Sequence, residues 1–256
     1  MDAGDRPHRP RCSLRLVPYS RRVMSLPKDG RRCLLAQFDD SSVVVFQAYN
    51  DQIARFSVDH GYFGGDFSFQ RMSWVKPSFT WMCHRSGWAT KHNQENILAL
   101  RLRRDYWEDV LSKAVLSSPP TSEAPLTGHT DSNGADARTS WHRELCRSTV
   151  VMQWDPEHEP FSGKRVGHRV IQLGLRGDTL AAFRGPAFTG SSCIEDITDF
   201  VHETAESRCL RGGYSSEVGS SHWGNDDQAP LMVPEETFYP ILNEHTAERL
   251  GIKSQP

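Results

Sequence analysis

The chain has 256 residues, 37 % of them apolar, with a mean hydropathy of −0.57 and a formal net charge of −2 at pH 7. That length suffices for one sizeable hydrophobic core. No apolar run approaches the roughly 18 residues of a membrane span, so the expectation is a soluble, cytoplasmic protein with no membrane partner.

Charge is unevenly spread. Residues 1–32 carry nine Lys/Arg against three Asp/Glu, a local +6 in a chain whose remainder is near −8. This Arg- and Ser-rich head reads as a basic disordered leader, suited to nucleic acid, or alternatively as a mitochondrial presequence. Asp2, Asp5 and four prolines within the first 27 residues oppose the amphipathic helix of a presequence. Folded-looking sequence begins near Cys33, which makes Met24 a candidate working start.

From there the elements follow in order. Cys33–Phe38 and Val43–Ala48 are apolar, β-rich runs separated by Asp39, Asp40, Ser41 and Ser42, the punctuation of a hairpin. Asn50 is placed to cap a helix carrying Ile53, Ala54, Phe56 and Val58 and stopping at Gly61. A second helix has Pro77 at its first position, Phe79, Met82 and Cys83 as its apolar stripe, and Gly87 as its stop. Ile97–Leu102 alternates as a strand with Leu98, Leu100 and Leu102 on one face, and Tyr106, Trp107, Val110, Leu111, Ala114 and Val115 recur at helical spacing. Residues 117–140 are rich in Ser, Thr, Pro, Gly and Asp and read as a disordered insertion, as do residues 211–228. Between and after them, Thr149–Trp154 and Arg169–Leu175 are expected as strands, Glu195–Ala205 and Asn243–Leu250 as helices.

Strands and helices mix without βαβ alternation. The expectation is a single α+β domain over residues 33–252, with a largely antiparallel sheet flanked by helices. Neither GxGxxG nor GxxxxGK[ST] occurs, which argues against Rossmann and P-loop sites. The six cysteines form no CxxC pair and read as reduced intracellular thiols, and the eleven histidines show no metal-ligand spacing.

Residues 71–107 hold four of the seven tryptophans. There Arg71, Lys76, Arg85, Lys91, Gln94 and Glu95 are threaded between Trp74, Phe79, Trp81, Trp88 and Trp107, and aromatic faces beside cations and amides suit a flat, anionic or amide-bearing ligand. Arg85 follows Trp81 by one turn and suits a phosphate or carboxylate across that face; the plainer account is a cation complementing the helix C-terminus. Lys76 precedes proline in extended backbone, where it serves an anion or is a solvated loop lysine. Glu95 is the best single carboxylate for a catalytic base or for polarising a ribose hydroxyl, against an ordinary strand-edge charge. Gln47 and Gln172 interrupt apolar strands, so their amides need partners, either a ligand or neighbouring backbone. Asp155 and Glu157 follow Trp154 at a strand end, where carboxylates serve chemistry or where Asp155-Pro156 simply turns the chain. Arg169, after His168, supplies a cation to a phosphate or to Asp155. The seven-residue recurrence of Trp74, Trp81 and Trp88 fits core packing, yet Pro77 and Gly87 prevent one helix from carrying all three.

Five blocks of this chain carry a resemblance: VFQAYN (Val45–Asn50), RMSWVKPSFTWMCHRSGWATK (Arg71–Lys91) with Gln94-Glu95, VMQWDPE (Val151–Glu157), HRVIQLGL (His168–Leu175) and IEDIT (Ile194–Thr198). In that order they resemble the bacterial and fungal family catalogued as domain of unknown function 4291, over roughly residues 33–240. The resemblance implies a domain but no reaction. The chain departs from the pattern where the family usually reads I-R-A-x-Y-D-D: the Arg position is Leu35 and the Tyr position is Phe38. His168 stands where a Tyr is common, and the usual tryptophan before IEDIT is missing.

Three functions of different classes follow. The first is a group-transfer enzyme on a nucleotide-like substrate, with NAD or another nucleotide bound. Glu95 and Asp155 would be its catalytic carboxylates, and Arg71, Lys76, Trp81, Arg85, Lys91, Gln94, Gln47, Arg169 and Gln172 its ligand contacts. An ADP-ribosyltransferase is its nearest analogy, with Arg85-Ser86-Gly87 on the phosphates and Gln94-Glu95 at the ribose. The second is a non-catalytic nucleotide- or RNA-binding module using the aromatic stretch for stacking, against which the acidic body counts. The third is a protein-interaction module, in which the tryptophans are buried and inert.

Overall fold

A computed structural model of the protein describes residues 13–26, 32–119, 134–190, 192–212 and 230–252. In chain order these form β1 (Leu16–Pro18), α1 (Tyr19–Ser25), β2 (Leu35–Phe38), β3 (Ser42–Tyr49), α2 (Asp51–His60), β4 (Ser73–Val75), α3 (Phe79–Ser86), β5 (Asn96–Arg103), α4 (Arg104–Ser112) and β6 (Ala114–Leu116). There follow α5 (Gly134–Arg147), β7 (Val150–His158), β8 (Arg165–Leu175), α6 (Gly177–Ala181) with a 3-10 turn at Ala182–Arg184, β9 (Ile194–Asp196), α7 (Thr198–Gly212), β10 (Met232–Pro234), β11 (Thr237–Phe238) and α8 (Glu244–Leu250). The expected α+β class is what is found: eight helices and three sheets among the described residues, antiparallel throughout except where β6 joins β7.

The larger sheet has the order β11-β2-β3-β5-β9. Its hairpin closes as the serines and aspartates suggested, because the Asp39 carboxylate accepts from the backbone N–H of Ser41 at 2.9 Å and of Ser42 at 2.7 Å. Strands β3 and β5 pair over their whole length, with Val45 opposite Leu100. One face of this pair, with Val43, Val45, Leu98, Leu100 and Leu102, packs on Trp107, Phe63 and Phe183. The other face, with Val44, Phe46, Ile97 and Ala99, packs on Phe79, Met82 and Val201. A strand between two cores needs apolar residues at every position, which explains why β3 reads as a continuous run.

The second sheet has the order β4-β8-β7-β6. Its backbone joins that of the first at Phe46 and Lys76: Phe46 N–H donates to Lys76 O at 2.7 Å and Lys76 N–H to Phe46 O at 3.2 Å. Lys76 therefore sits at the seam between the sheets.

Asn50 caps α2 through Ile53 N–H, and Gly61 ends that helix in the left-handed region at φ 71°. Other boundaries differ from expectation. The residue capping α3 is Ser78, whose hydroxyl accepts from Trp81 N–H at 3.3 Å, so Pro77 lies outside the helix. Helix α4 ends at Ser112, and Ala114 and Val115, which continue the helical spacing, instead pair in parallel with Val150 and Val151. Short apolar runs fit either period, and here the open edge of β7 decides. Glu195 and Asp196 belong to β9; α7 begins only at Thr198, whose N–H is held by the Asp196 carboxylate at 2.9 Å. Asp155-Pro156 makes no turn either, since β7 runs through it to His158 with a register shift between Pro156 and His158.

The largest departure is in the basic head. Residues 13–26 are ordered: β1 pairs with β10, Leu16 opposite Pro234, and Leu14, Val17 and Tyr19 are buried in the core that holds Leu231 and Val233. Each large side chain so buried contributes roughly 1.5–3 kcal/mol. Folded sequence thus begins well before Cys33, and Met24 falls inside α1. The rest of the expected leader, residues 1–12 and 27–31, lies outside the described residues. Of the two expected insertions, residues 120–133 and 213–228 also lie outside them, but α5 starts at Gly134 and is anchored by Trp141 Nε1, which donates to Leu116 O at 2.9 Å.

Candidate functional site

A cleft of about 520 Å³ opens where β3 runs into α2, beside the loop leading into β4 and under the C-terminal end of α3. Gln47, Arg71, Lys76, Arg85 and Gln94, all singled out in the sequence, line it. Trp74, Tyr49, Asn50 and Asp66 complete the parts used below.

Gln47 points from β3 and is 2 % exposed. Its Nε2 donates to Ser73 Oγ at 2.8 Å and to Trp74 O at 3.0 Å. A carbonyl only accepts, so these contacts fix which end of the amide is nitrogen. Its Oε1 is then a fully buried acceptor with no hydrogen-bond partner among the described residues. Such a group costs about 1–3 kcal/mol until a donor reaches it. Tyr49 OH, 2.6 Å from Ser73 Oγ, extends the same polar wall.

Lys76 is held by the seam between the sheets and is only 8 % exposed. Its Nζ donates to Trp74 O at 3.2 Å and lies 5.3 Å from the centre of the Trp81 ring. Burial, with Arg85 nearby, pulls the amine down to about 7, against the opposite pull of Asp155. Lys76 is thus no solvated loop lysine. Arg71 and Arg85 are exposed at the cleft mouth, and neither guanidinium is in an ion pair among the described residues.

Behind Lys76, Asp155 accepts from Gln153 Nε2 at 2.9 Å and Gln172 Nε2 at 2.6 Å. Burial raises its carboxyl, while Gln153, Lys76, Arg169 and Gln172 work to lower it. Gln172 is committed to Asp155, and Arg169 donates to Trp154 O at 3.1 Å. Asp155, Arg169 and Gln172 therefore support Lys76 rather than line the cleft.

Two candidates are elsewhere. Glu95 accepts from Asn93 N–H at 2.9 Å and lies 3.6 Å from His92 Nδ1, outside the cleft lining. Lys91 Nζ donates to Arg85 O at 2.7 Å, closing the end of α3. The stacking platform is also smaller than the tryptophan density suggests, because Trp88 and Trp107 are packed in the two cores. Trp88, Ala89 and Asn93 have positive φ, so the segment leading to Gln94 is held in sparsely populated backbone at the cleft rim.

Of the most buried ionic group, only Glu157 stands out in the sequence, and its partners do not. Arg22, Glu157 and Glu236 are each no more than 3 % exposed. Arg22 Nη2 lies 2.9 Å from Glu157 Oε2 and 2.7 Å from Glu236 Oε2. Thr80 Oγ1 donates to Glu157 at 2.9 Å and Phe79 N–H to Glu236 at 2.7 Å. Burial opposes the charge on Arg22, but Glu236 and Glu157 outweigh it and the guanidinium is held more firmly protonated. The nearby His168 is buried, which drives its imidazole down to about 4. The only legible hint was a Glu two residues after Asp155 on an alternating strand. Arg15, also from the head, pairs with Glu235 at 3.3 Å.

A second opening of about 580 Å³ is lined by Lys113, Arg143, Arg147 and Arg249 with Glu144, none of them singled out from sequence. Arg249 is paired to Glu144 at 3.1 Å and Lys113 to Asp109 at 2.5 Å.

Together these features define a mixed α+β protein with one polar, cation-rimmed cleft at a junction of two sheets. The chain belongs to the family described as Domain of unknown function (DUF4291), which matches residues 33–239. No curated protein matches it significantly. The departures at Leu35 and Phe38 lie in β2, in or against the core and outside the cleft lining. Arg22 lies outside the matched span, whereas its partners Glu157 and Glu236 lie inside it. Among the described residues no helix is long and apolar enough to cross a membrane.

Proposed function

We propose that the cleft binds a planar, anionic, nucleotide-like ligand and that the protein is a group-transfer enzyme in which the Lys76 amine is the reactive group. The observation that carries this reading is Lys76 itself: a buried amine drawn down to about 7, in a cleft whose mouth bears Arg71 and Arg85, neither in an ion pair among the described residues. A lysine serving only as a phosphate contact gains from staying charged, whereas an amine neutral near pH 7 suits a base or a nucleophile. Gln94 supplies an amide for a ligand's polar edge, and Trp74 offers a flat face; Trp81, buried against Lys76, lies outside the cleft lining. ADP-ribosyl transfer is no longer part of the reading, because Glu95 is turned onto the 92–93 turn instead of the Arg85 cleft.

A second reading, a binding module without chemistry, is favoured by one observation. Asp66 is the one carboxylate in the cleft lining, and Asp155 is already satisfied by two amides.

Thermal unfolding of the full chain with NAD, ATP, GTP, coenzyme A and a short RNA tests the proposal. A ligand at about a hundred times its dissociation constant adds roughly 2.7 kcal/mol. The expected result is a shift with a nucleotide that disappears in Arg85→Ala. Silence across the panel, or a shift that survives in both Arg71→Ala and Arg85→Ala, overturns the cleft assignment.

A further inference from the structure

We infer that Lys76 is a Schiff-base lysine: its amine condenses with the carbonyl group of a phosphate-bearing aldehyde or ketone held in the cleft. The inference rests on the cleft reading above and adds to it the class of substrate and the covalent step.

Four observations carry it. Lys76 Nζ has one hydrogen-bond acceptor, Trp74 O, which it shares with the Gln47 amide, so the nitrogen is oriented while part of its valence faces the cleft. Trp74, whose carbonyl holds the amine, lines the cleft beside it and offers a flat ring on which a planar imine and its substituent can rest. Arg71 and Arg85 stand at the cleft mouth without ion pairs among the described residues, placed to hold a phosphate while the carbonyl end enters. Gln94, at the cleft rim, offers its amide to a hydroxyl or N–H of the bound compound. Burial also leaves a substantial share of the amine unprotonated near neutrality, the state in which its lone pair can attack.

The step balances without any redox partner. The Lys76 lone pair forms a C–N bond to the carbonyl carbon, and the π pair moves to oxygen. One proton passes from nitrogen to that oxygen, giving a carbinolamine. A second proton, taken from solvent, lets the hydroxyl leave as water while the nitrogen lone pair closes the C=N bond of a protonated imine. The charges surrounding Lys76 are Arg85 on the cleft side and Asp155, with Arg169 beyond it, on the sheet side. The new cation is thus formed where the Asp155 carboxylate can offset it.

The test uses the full chain with pyridoxal 5′-phosphate, a planar phosphorylated aldehyde, and with pyridoxal, which lacks the phosphate. Borohydride reduction fixes any imine, and peptide mass spectrometry locates it. The expected adduct is at Lys76, saturable, with at least about tenfold preference over Lys91, Lys113 or Lys164, because an ordinary lysine is almost wholly protonated at pH 7. Its formation rate in the wild-type protein should rise through a midpoint near 7, and the preference should weaken with pyridoxal and in Arg85→Ala. Equal labelling of the four lysines, or a Lys76 rate that climbs only near pH 10, overturns the inference. Stabilisation by a nucleotide with Lys76 left unlabelled removes the imine and keeps the cleft reading. Absence of both removes the two together.

Discussion

Arg22 lies outside the matched family span yet pairs with two carboxylates inside it, and replacing it should be among the costliest single changes in the protein. In Arg22→Met the side-chain volume is largely kept, so the loss is of charge and hydrogen bonds and not of packing. Glu157 and Glu236 retain donors from Thr80 and Phe79 but no cation. Removing one partner from a buried ionic group costs about 3–5 kcal/mol, against a total stability of roughly 5–15 kcal/mol. With a urea dependence of about 2–3 kcal/mol/M, the unfolding midpoint should fall by about 1–2.5 M. The penalty also has a sign in pH. Burial raises the Glu236 carboxyl in the folded protein, with Arg22 pulling against it. A raised carboxyl contributes stability that is present below its unfolded pKa and is lost as pH rises through the folded value. Without Arg22 that value rises further, so the variant should lose more relative to wild type at pH 8 than at pH 5. Adding Glu157→Gln and Glu236→Gln to Arg22→Met should recover most of the loss. A penalty below about 1 kcal/mol, or one independent of pH and not relieved by the two glutamines, would refute the assignment of a buried ionic triad. A chain begun at Met24 lacks both β1 and Arg22, and it should be at least as unstable as Arg22→Met.

Other outcomes follow from the cleft. Lys76, depressed from 10.5 to about 7, contributes stability that is present above pH 10.5 and is lost as pH falls through 7, so wild type should gain on Lys76→Met between pH 7 and pH 9.5; parallel urea curves at both values would refute this. In Gly174→Ala the added methyl would stand 2.5 Å from Met72 Sδ and 3.0 Å from Trp74 Cε2, which should cost about 1–3 kcal/mol and displace Trp74, read as a change in tryptophan emission and weaker ligand-induced stabilisation. Glu95→Gln should leave any nucleotide-induced shift intact while Arg85→Ala removes it, because only Arg85 lines the cleft. Asn50→Ala should cost about 1 kcal/mol through loss of the α2 cap, measured by chemical denaturation.

What could be read from the sequence was whatever depends on local chemistry. The Asn50 cap, the stops at Gly61 and Gly87 and the Asp39–Ser42 turn are each set by a residue and its near neighbours. Gln47, Lys76 and Arg85 stand out in the sequence because an amide or cation inside an aromatic, apolar stretch must be explained, and all three line one cleft. Non-local facts were not legible. Ala114 and Val115 keep helical spacing but answer to a strand edge that arrives from residues 150–152. Arg22 looked like one basic residue among many in a polar head; Arg21 beside it also reaches a distant carboxylate, Glu235, but at the surface, whereas Arg22 is buried with Glu157 and Glu236. Glu95 failed for the opposite reason: its neighbours in sequence suggested a site, but the backbone turns its carboxylate to Asn93.

Pairing of β1 with β10 also sets a clock on synthesis. Leu16 finds its partner at Pro234, and Arg22 its second carboxylate at Glu236, so neither contact can form until nearly the whole chain has emerged. At roughly 5–20 residues per second, the segment around Arg22 waits about 10–40 s before its counter-charges are available. Through that interval Leu14, Val17 and Tyr19 lack their neighbours Leu231 and Val233, and the basic character of the head favours hydration of this waiting segment. The positive charge that reads as a leader's signature thus doubles as protection for an element that must fold last.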